Sequence, residues 1–362
     1  METALRQQIE ILRQRVESEA EKGAKRVKID LREDFNSHFL DKIGTKFALG
    51  DSEEYRSIKE LDGMSFYQAI ARSTELSRSA FFLTNILTGG WYTKLGLCKP
   101  FNEFEVLRDK IRGFVYKTLE ERTKMFERGE YEPKRSNILD FLILENSKLK
   151  EEGKEVRTPD EICQHILDVF RAGIDTIMFV FEIVFTYLSL PSNRARLPVL
   201  RNIIKKEFSG EDYSTDALID HPYLHPVFME AERLFPGLNR SFSKTVVKPF
   251  KLCGVKIRRG DDVVVRFVSL NYNKENFERP EEYRPGRFVE KKVPQLTFLP
   301  FSHGARSCVG RTFGDFMIKI MVVELLKVFD FSFDEGYDLR AFHTDMFSGL
   351  MDRTMWVEVL GE

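Results

Sequence analysis

Residues 298–310 read FLPFSHGARSCVG, and they are the stretch of this chain best suited to chemistry. Cys308 stands between Gly304 and Gly310, just beyond Arg306 and Phe301. The chain then runs into RTFGDFMIKIMVVELLKVF, an apolar helical pattern expected to start near Val309. A cysteine at a helix start faces N–H groups without helical partners and the positive end of the helix dipole. Both favour the thiolate, the form that ligates iron. Gly304 permits a turn that a side chain would block, and Gly310 lets a flat group approach the backbone closely. Arg306 can reach a carboxylate. His303 is a rival ligand by residue type alone. A lone cysteine here would ordinarily be structural; the fixed residues around it are what set it apart.

Other segments carry acids, hydroxyls and arginines at suggestive spacing. Ala172-Gly173-Ile174-Asp175-Thr176 lies midway along a long apolar stretch. Glu230 and Arg233, three apart in HPVFMEAERLFP, share a helix face and can pair. Arg240 follows Pro236 by four residues, and Pro285-Gly286-Arg287-Phe288 supplies a further arginine.

The elements that position these residues are mostly helical. Leu5, Ile9, Leu12 and Val16 make the opening helix amphipathic. Helical patterns follow over 31–50, 65–87, 104–129 (Phe104, Leu107, Ile111, Phe114 and Leu119 on one face) and 137–150. Thr158-Pro159-Asp160-Glu161 is a helix start, with a hydroxyl cap, a proline in the first turn and Glu161 at the third position. The helix it opens runs to Pro191 and is apolar nearly all round, so it should be buried. Two more helices are expected around 193–208 and 224–235. Residues 242–270 are rich in Val and Phe and broken by Gly254 and Gly260, which reads as short strands and turns. The last thirty or so residues read as loop and hairpin.

Composition limits the function classes. The chain has 362 residues, a formal net charge of −1 and 42% hydrophobic residues, enough for a large core. There is no basic excess for nucleic acid. The 32 phenylalanines point to an aromatic-rich interior or apolar pocket. Four scattered cysteines (Cys98, Cys163, Cys253, Cys308) and six histidines make neither a disulfide framework nor a zinc cage, so free thiols in a reducing, intracellular compartment are expected. The longest apolar runs are interrupted by Glu182, Lys319, Glu324 and Lys327, and the charged N-terminus reads as neither leader nor anchor.

The segment around Cys308 resembles the haem-binding loop of the cytochrome P-450 family, F-x-x-G-x-R-x-C-x-G, with every fixed position met by Phe301, Gly304, Arg306, Cys308 and Gly310. The resemblance implies that Cys308 is the proximal thiolate ligand of haem b (iron protoporphyrin IX), where a thiolate favours O–O cleavage. Arg306 and Arg240 match positions that contact haem propionates. Ala172–Thr176 resembles the family's oxygen-activation motif: Gly173 would leave a groove for dioxygen, Thr176 would donate a hydrogen bond to it, and Asp175 would relay protons. A second hydroxyl is usual at the next position, where this chain has Ile177. Glu230 and Arg233 resemble the E-x-x-R pair, and Arg287 matches the arginine completing a buried structural triad. The order of these patterns is the family's from about residue 30 onward.

The resemblance therefore implies a mostly α fold, a large helical domain with small β portions, over residues 1–362. The family's N-terminal β subdomain and first helices are expected to be missing. On the usual family length that is roughly a hundred residues or more, and it would include any anchor to the endoplasmic reticulum membrane. The only tryptophans, Trp91 and Trp356, do not match the position that contacts a propionate. A fragment, an incomplete gene model and a degenerate relative are all consistent with this.

The function implied is a haem-thiolate monooxygenase that oxidises an apolar small molecule with dioxygen and electrons from NADPH, delivered by a reductase or ferredoxin. The alternatives are a haem-thiolate isomerase or dehydratase, against which Thr176 speaks, and a non-catalytic truncated remnant. Phe170, Ala172, Gly173, Gly237–Asn239 and 347–350 are expected pocket walls, and Lys291 and Lys292 a face for an acidic electron donor.

Overall fold

The computed structural model describes residues 2–31, 37–50, 55, 57–78, 99–210, 214–290, 293–294, 296–337, 339, 341–343, 348–350 and 354–360. The chain forms two compact units. One comprises Asn36–Asp175 with Met1–Ala4, the other Leu5–Phe35 with Thr176–Glu362.

The chain opens on α1 (Glu2–Glu21) and β1 (Val27–Asp30). Leu5, Ile9, Leu12 and Val16 are all buried, as the helical spacing requires. The first unit then holds α2 (Ser37–Leu49), a single 3-10 turn (Lys59–Leu61), α3 (Phe66–Arg78), α4 (Lys99–Glu127) and α5 (Ile138–Glu151). The start of α3 is fixed by reciprocal bonds: Gln68 N–H donates to Ser65 Oγ at 3.1 Å and Ser65 N–H to Gln68 Oε1 at 3.0 Å. Phe66 is the hub of this unit's core, 5.0 Å from the Phe170 ring edge-on and 5.9 Å from Phe114. Gly44 lets α2 lie against Phe170, since a Cβ there would come within 3.1 Å of the ring.

Asp140, fully buried, is the polar centre of this unit. It accepts from Tyr131 Oη (2.7 Å), Lys134 N–H (3.0 Å), Asn137 Nδ2 (2.8 Å) and Arg122 Nη1 (2.9 Å). Asn137 caps α5 in turn, taking the Asp140 N–H at 2.8 Å. Burial alone would raise the Asp140 carboxyl, but these four donors hold it below the usual carboxylate range. Burial and the bond to Asp140 push the Tyr131 phenol up to about 12.

The long helix α6 (Pro159–Ser189) begins with the expected cap: Glu161 N–H donates to Thr158 Oγ1 at 3.2 Å and Thr158 N–H to Glu161 Oε2 at 2.8 Å. It is not apolar all round. Asp160, Glu161, Gln164, His165, Asp168 and Val169 are exposed in its first half, whereas from Ile177 to Ser189 every residue is buried except the half-buried Phe179 and Tyr187.

From Thr176 the chain belongs to the second unit. Here follow α7 (Leu197–Glu207), α8 (Thr215–Ile219), α9 (Leu224–Leu234), β2 (Lys244–Thr245), β3 (Phe250–Leu252), β4 (Val255–Ile257), β5 (Asp262–Val263), α10 (Phe267–Asn271) and α11 (Arg287–Glu290). The chain closes with α12 (Arg311–Val328), β6 (Phe329–Ser332), β7 (Ala341–His343), β8 (Ser348–Leu350) and β9 (Thr354–Val359). The antiparallel pairs are β2 with β5, β3 with β4, and β7 with β8, while β1, β9 and β6 form a three-stranded antiparallel sheet in that order. Ile29 lies opposite Met355, and Phe331 opposite Val357, so this sheet turns one apolar face inward. Phe185 of α6 meets Phe331 of this sheet edge-on at 4.7 Å, with Phe181 packed beside Phe185 at 4.8 Å.

Three sequence expectations change. The strand β1 was not anticipated, because a four-residue alternation of Val27 and Ile29 is short beside the helical patterns around it. The segment 193–208 is a 3-10 turn (Arg194–Arg196) followed by α7, with Pro198 in the first turn. The helix after Cys308 begins at Arg311, with Gly310 as its N-cap, and Val309 is fully exposed ahead of it. Among the described residues no single helix is long and apolar enough to cross a membrane.

Asp140→Asn should lower stability near neutral pH by about 3 kcal/mol, because it leaves Arg122 buried without its carboxylate. The folded carboxyl titrates below the unfolded one, so this stabilisation exists above the ordinary carboxylate range and is lost as pH falls through it. Denaturant titrations of the two proteins should therefore differ near neutrality and converge in acid; a gap independent of pH would show that charge is not the cause.

Candidate functional site

The cysteine loop is closed on its own backbone. Cys308 N–H donates to the Phe301 carbonyl at 2.9 Å and Ser307 N–H to the Gly304 carbonyl at 2.9 Å. Between them Gly304–Arg306 makes one 3-10 turn, entered through Gly304 at φ +80°, a conformation closed to most side chains. Cys308 is a free, exposed thiol. It stands three residues ahead of the first helical residue of α12, and a Cβ at Gly310 would sit 3.9 Å from its sulfur. Arg306 is exposed, Phe301 is half-buried, and the Arg311 guanidinium lies 5.7 Å over the Phe301 ring. His303 is exposed and extended at the head of the 3-10 turn.

Within the second unit α12 meets α6 close to this loop. A Cβ at Gly314 would lie 3.9 Å from Ile177 Cγ1, the residue after Thr176. Thr176 itself is half-buried. On the same stretch of α6, Gly237 comes against Val180 and Phe179, and Phe179 stacks on Phe235 with centroids 6.4 Å apart. In the first unit Ala172 is exposed, Gly173 has open space where a Cβ would stand, and Phe170 is a core residue against Phe66. The side chain of Asp175, the side chains of 347–350, and Lys291 and Lys292 lie outside the described residues.

Glu230, Arg233 and Arg287 come together. The Arg233 guanidinium grips the Glu230 carboxylate with two bonds, Nε to Oε2 at 2.8 Å and Nη2 to Oε1 at 2.9 Å. Arg287 Nε adds a bond to Oε1 at 2.9 Å, and Arg284 N–H another at 2.8 Å. The remaining guanidinium N–H groups are spent on backbone carbonyls: Asn271 and Glu282 for Arg233, Glu278 and Arg279 for Arg287. Glu230 and Arg233 are fully buried. The triad therefore fixes the irregular chain from 271 to 287 against α9. Arg240 is half-buried; its guanidinium donates to the Ser241 carbonyl at 3.1 Å and its backbone bridges Arg266.

Sequence patterns did not single out the partners of this triad. Asn271 returns a bond from Nδ2 to the Arg233 carbonyl at 3.0 Å, and the Tyr272 and Tyr283 hydroxyls donate to the Leu234 and Val227 carbonyls. Lys319 was read only as an interruption of an apolar run, yet it is fully buried. A charge inside an otherwise apolar helix was the available signal.

Among the described residues no three His, Cys, Asp or Glu side chains gather to hold a metal ion. A single thiol cannot cage a bare ion. It suits a metal that arrives with its other ligands already in a ring, approaching a backbone kept free of Cβ atoms at Gly304 and Gly310.

A mostly helical chain that presents one cysteine on a closed loop at the head of a long helix, and that holds a buried carboxylate–arginine triad, has the make-up of a haem-thiolate protein. The family model described as Cytochrome P-450 matches residues 1–354, and the chain belongs to the cytochrome P-450 family, whose cofactor is haem. It is similar to cytochrome P-450 76A1 of Solanum melongena (28% identical; 68% of this chain, 54% of that protein). It is similar also to human cytochrome P-450 3A5 (31%; 55% and 40%) and to the (+)-menthofuran synthase of Mentha piperita (27%; 65% and 47%). The chain spans about half the length of these curated relatives. A solved cytochrome P-450 structure, CYP102L1, has the same fold, with a TM-score of 0.76 over 99% of this chain and 73% of that one at 17% identity.

Glu230→Gln leaves two buried guanidinium groups without their carboxylate and should cost about 3–5 kcal/mol. Arg287→Lys keeps the charge but loses the planar fork, and should cost less, about 1–3 kcal/mol. Thermal or denaturant unfolding ranks the two; no loss in Arg287→Lys would mean that charge alone matters there, and equal losses that the fork geometry matters as much as the charge.

Proposed function

We propose that this chain holds haem b through Cys308 and serves a haem-thiolate monooxygenase that oxidises an apolar small molecule. The observation that carries the reading is the exposed Cys308 thiol, held by a self-closed loop at the head of α12, whose first turns meet α6 one residue beyond Thr176. Bound haem supplies dioxygen activation, drawing electrons that originate with NADPH and arrive through a reductase or ferredoxin.

The chain's own residues have distinct tasks in this reading. Cys308 gives the thiolate, and the N–H groups at the head of α12 stabilise its negative charge. Gly304 and Gly310 keep the backbone open to a flat ring, while Arg306 and Arg240 offer guanidinium groups to carboxylates at its edge. Thr176 Oγ1 hands a proton toward the reacting oxygen, and Asp175, the acid before it on α6, restores that proton from solvent. Phe179, Val180, Phe235 and Gly237 keep the neighbourhood of Thr176 apolar, which excludes water and favours an apolar substrate. The name of the peppermint relative, a menthofuran synthase, is in keeping with a small apolar substrate class.

A second reading is a non-catalytic chain that binds haem weakly. It is favoured by the exposure of the whole segment His303–Val309.

Haem titration of the purified chain, followed by reduction under carbon monoxide, should give the long-wavelength band of a thiolate haem. Cys308→Ser should abolish that band; a band unchanged by the substitution would overturn the assignment. Thr176→Ala should cut product formation about 10²-fold without moving the spectrum. Turnover that ignores the electron donor would point instead to an isomerase or dehydratase.

A further inference from the structure

Lys319 lies on α12 with no exposed surface, and its ammonium spends its three N–H donors on three different elements. It donates to Asp315 Oδ2 at 2.9 Å within α12, to His225 Nδ1 at 3.0 Å on α9, and to the carbonyl of Ile219, the last residue of α8. Since the ammonium can only donate, His225 accepts at Nδ1 and carries its proton on Nε2. The Phe228 ring of α9 lies 5.7 Å beneath the ammonium. One buried cation therefore ties α12 to both α8 and α9.

This tie bears on the cysteine loop because the loop is closed on itself and Gly310 gives α12 no side-chain cap. Where Cys308 stands is set by where α12 stands. On one side α12 is located by Gly314 against Ile177. The next residue, Asp315, holds the Lys319 ammonium, which locates α12 on the other side.

We propose that Lys319 is a positioning residue for Cys308, clamping the first two turns of α12 onto α8 and α9 so that the loop leading into them keeps one place.

A second buried group, an acid, lies near the clamp. Glu232 on α9 is faced by Asp315, Lys319 and Arg311 from α12, while Lys319 and His225 are also faced by Asp220 at the end of α8. Burial, then Asp315, pushes the Glu232 carboxyl up to about 8, against the pull of Lys319 and Arg311. Ionisation of Glu232 would add a negative charge facing Lys319. The folded state keeps a proton that the unfolded state releases, so stability falls as pH rises from the ordinary carboxylate range toward about 8.

Hydrogen exchange on the full chain tests this without cofactor. Lys319→Met is compared with Met321→Ala, a core truncation on the same helix, with denaturant adjusted to equal global stability. Amides of 308–316 should exchange at least 10-fold faster in Lys319→Met, and alkylation of the Cys308 thiol, followed by mass spectrometry, should change with them. Wild type should show a step in the exchange of this segment near pH 8 that Glu232→Gln lacks. Equal exchange in the two α12 variants, or a step that survives Glu232→Gln, overturns the proposal. Should Lys319→Met not fold, His225→Ala removes one acceptor, keeps the charge and is held to the same comparison. A final arm rests on the reading of Cys308 as the haem ligand: Lys319→Met should reduce the fraction showing the thiolate band, whereas Cys308→Ser should abolish it. A spectrum indifferent to Cys308→Ser defeats that reading alone and leaves the exchange result to decide the clamp.

Discussion

The carboxylate of Glu230 accepts four hydrogen bonds in the dry interior of the second unit, two from Arg233, one from Arg287 and one from the Arg284 amide. Removing such groups from water is costly, and the cost is offset only when every donor and acceptor is matched. Here the match is made with backbone: the carbonyls of residues 271, 278, 279 and 282 are drawn in by the two guanidinium groups. A stretch with little regular structure thereby gains fixed coordinates. The chain from α10 to α11 has almost no ladder bonds of its own; besides the triad it is held to α9 by single bonds from Asn271, Tyr272 and Tyr283.

The cysteine loop depends on that arrangement at one remove. It follows α11 in sequence and leads into α12, and its internal bonds shape it without placing it. Placement comes from what flanks it. A loop so exposed can present a sulfur to a large flat group, where a buried cysteine such as Cys163 cannot. Burial pushes the Cys163 thiol up, which makes it the wrong kind of sulfur for a ligand.

Much of this was legible in the residues. The capping box at Thr158 and Glu161, the amphipathic face of α1 and the turn at Gly304 are local, and local chemistry is what a sequence displays most directly. The spacing of Glu230 and Arg233 was legible as a pair, and Arg287 as its third member through a family resemblance. What escaped depends on long-range partners. The strand β1 becomes a strand because β9, more than three hundred residues on, offers it a ladder; four residues with two buried side chains could not announce that alone. The start of α12 was placed two residues early because Val309 is apolar, yet the Cys308 amide is bound back to Phe301 and holds that residue out of the helix. Asn271 looks unremarkable as a letter and Lys319 shows only as a charge within an apolar run, since their meaning lies in carbonyls and rings brought from other elements.

The helix α9 connects these observations. Successive residues on an α-helix turn by about 100°, so Glu230 and Arg233 share one face, and His225 and Glu232, seven apart, share another. Glu230 and Glu232 then point to nearly opposite sides, roughly 200° apart on the same geometry. One side binds the irregular chain through the arginine triad, and the other meets α12 through Lys319 and His225. The first is saturated with donors, whereas the second holds an acid pushed up by burial beside a lysine pushed down by it. An eleven-residue helix thus carries a donor-saturated joint on one side and a joint that encloses a buried acid and a buried lysine on the other, and the segment bearing Cys308 runs from the first joint to the second.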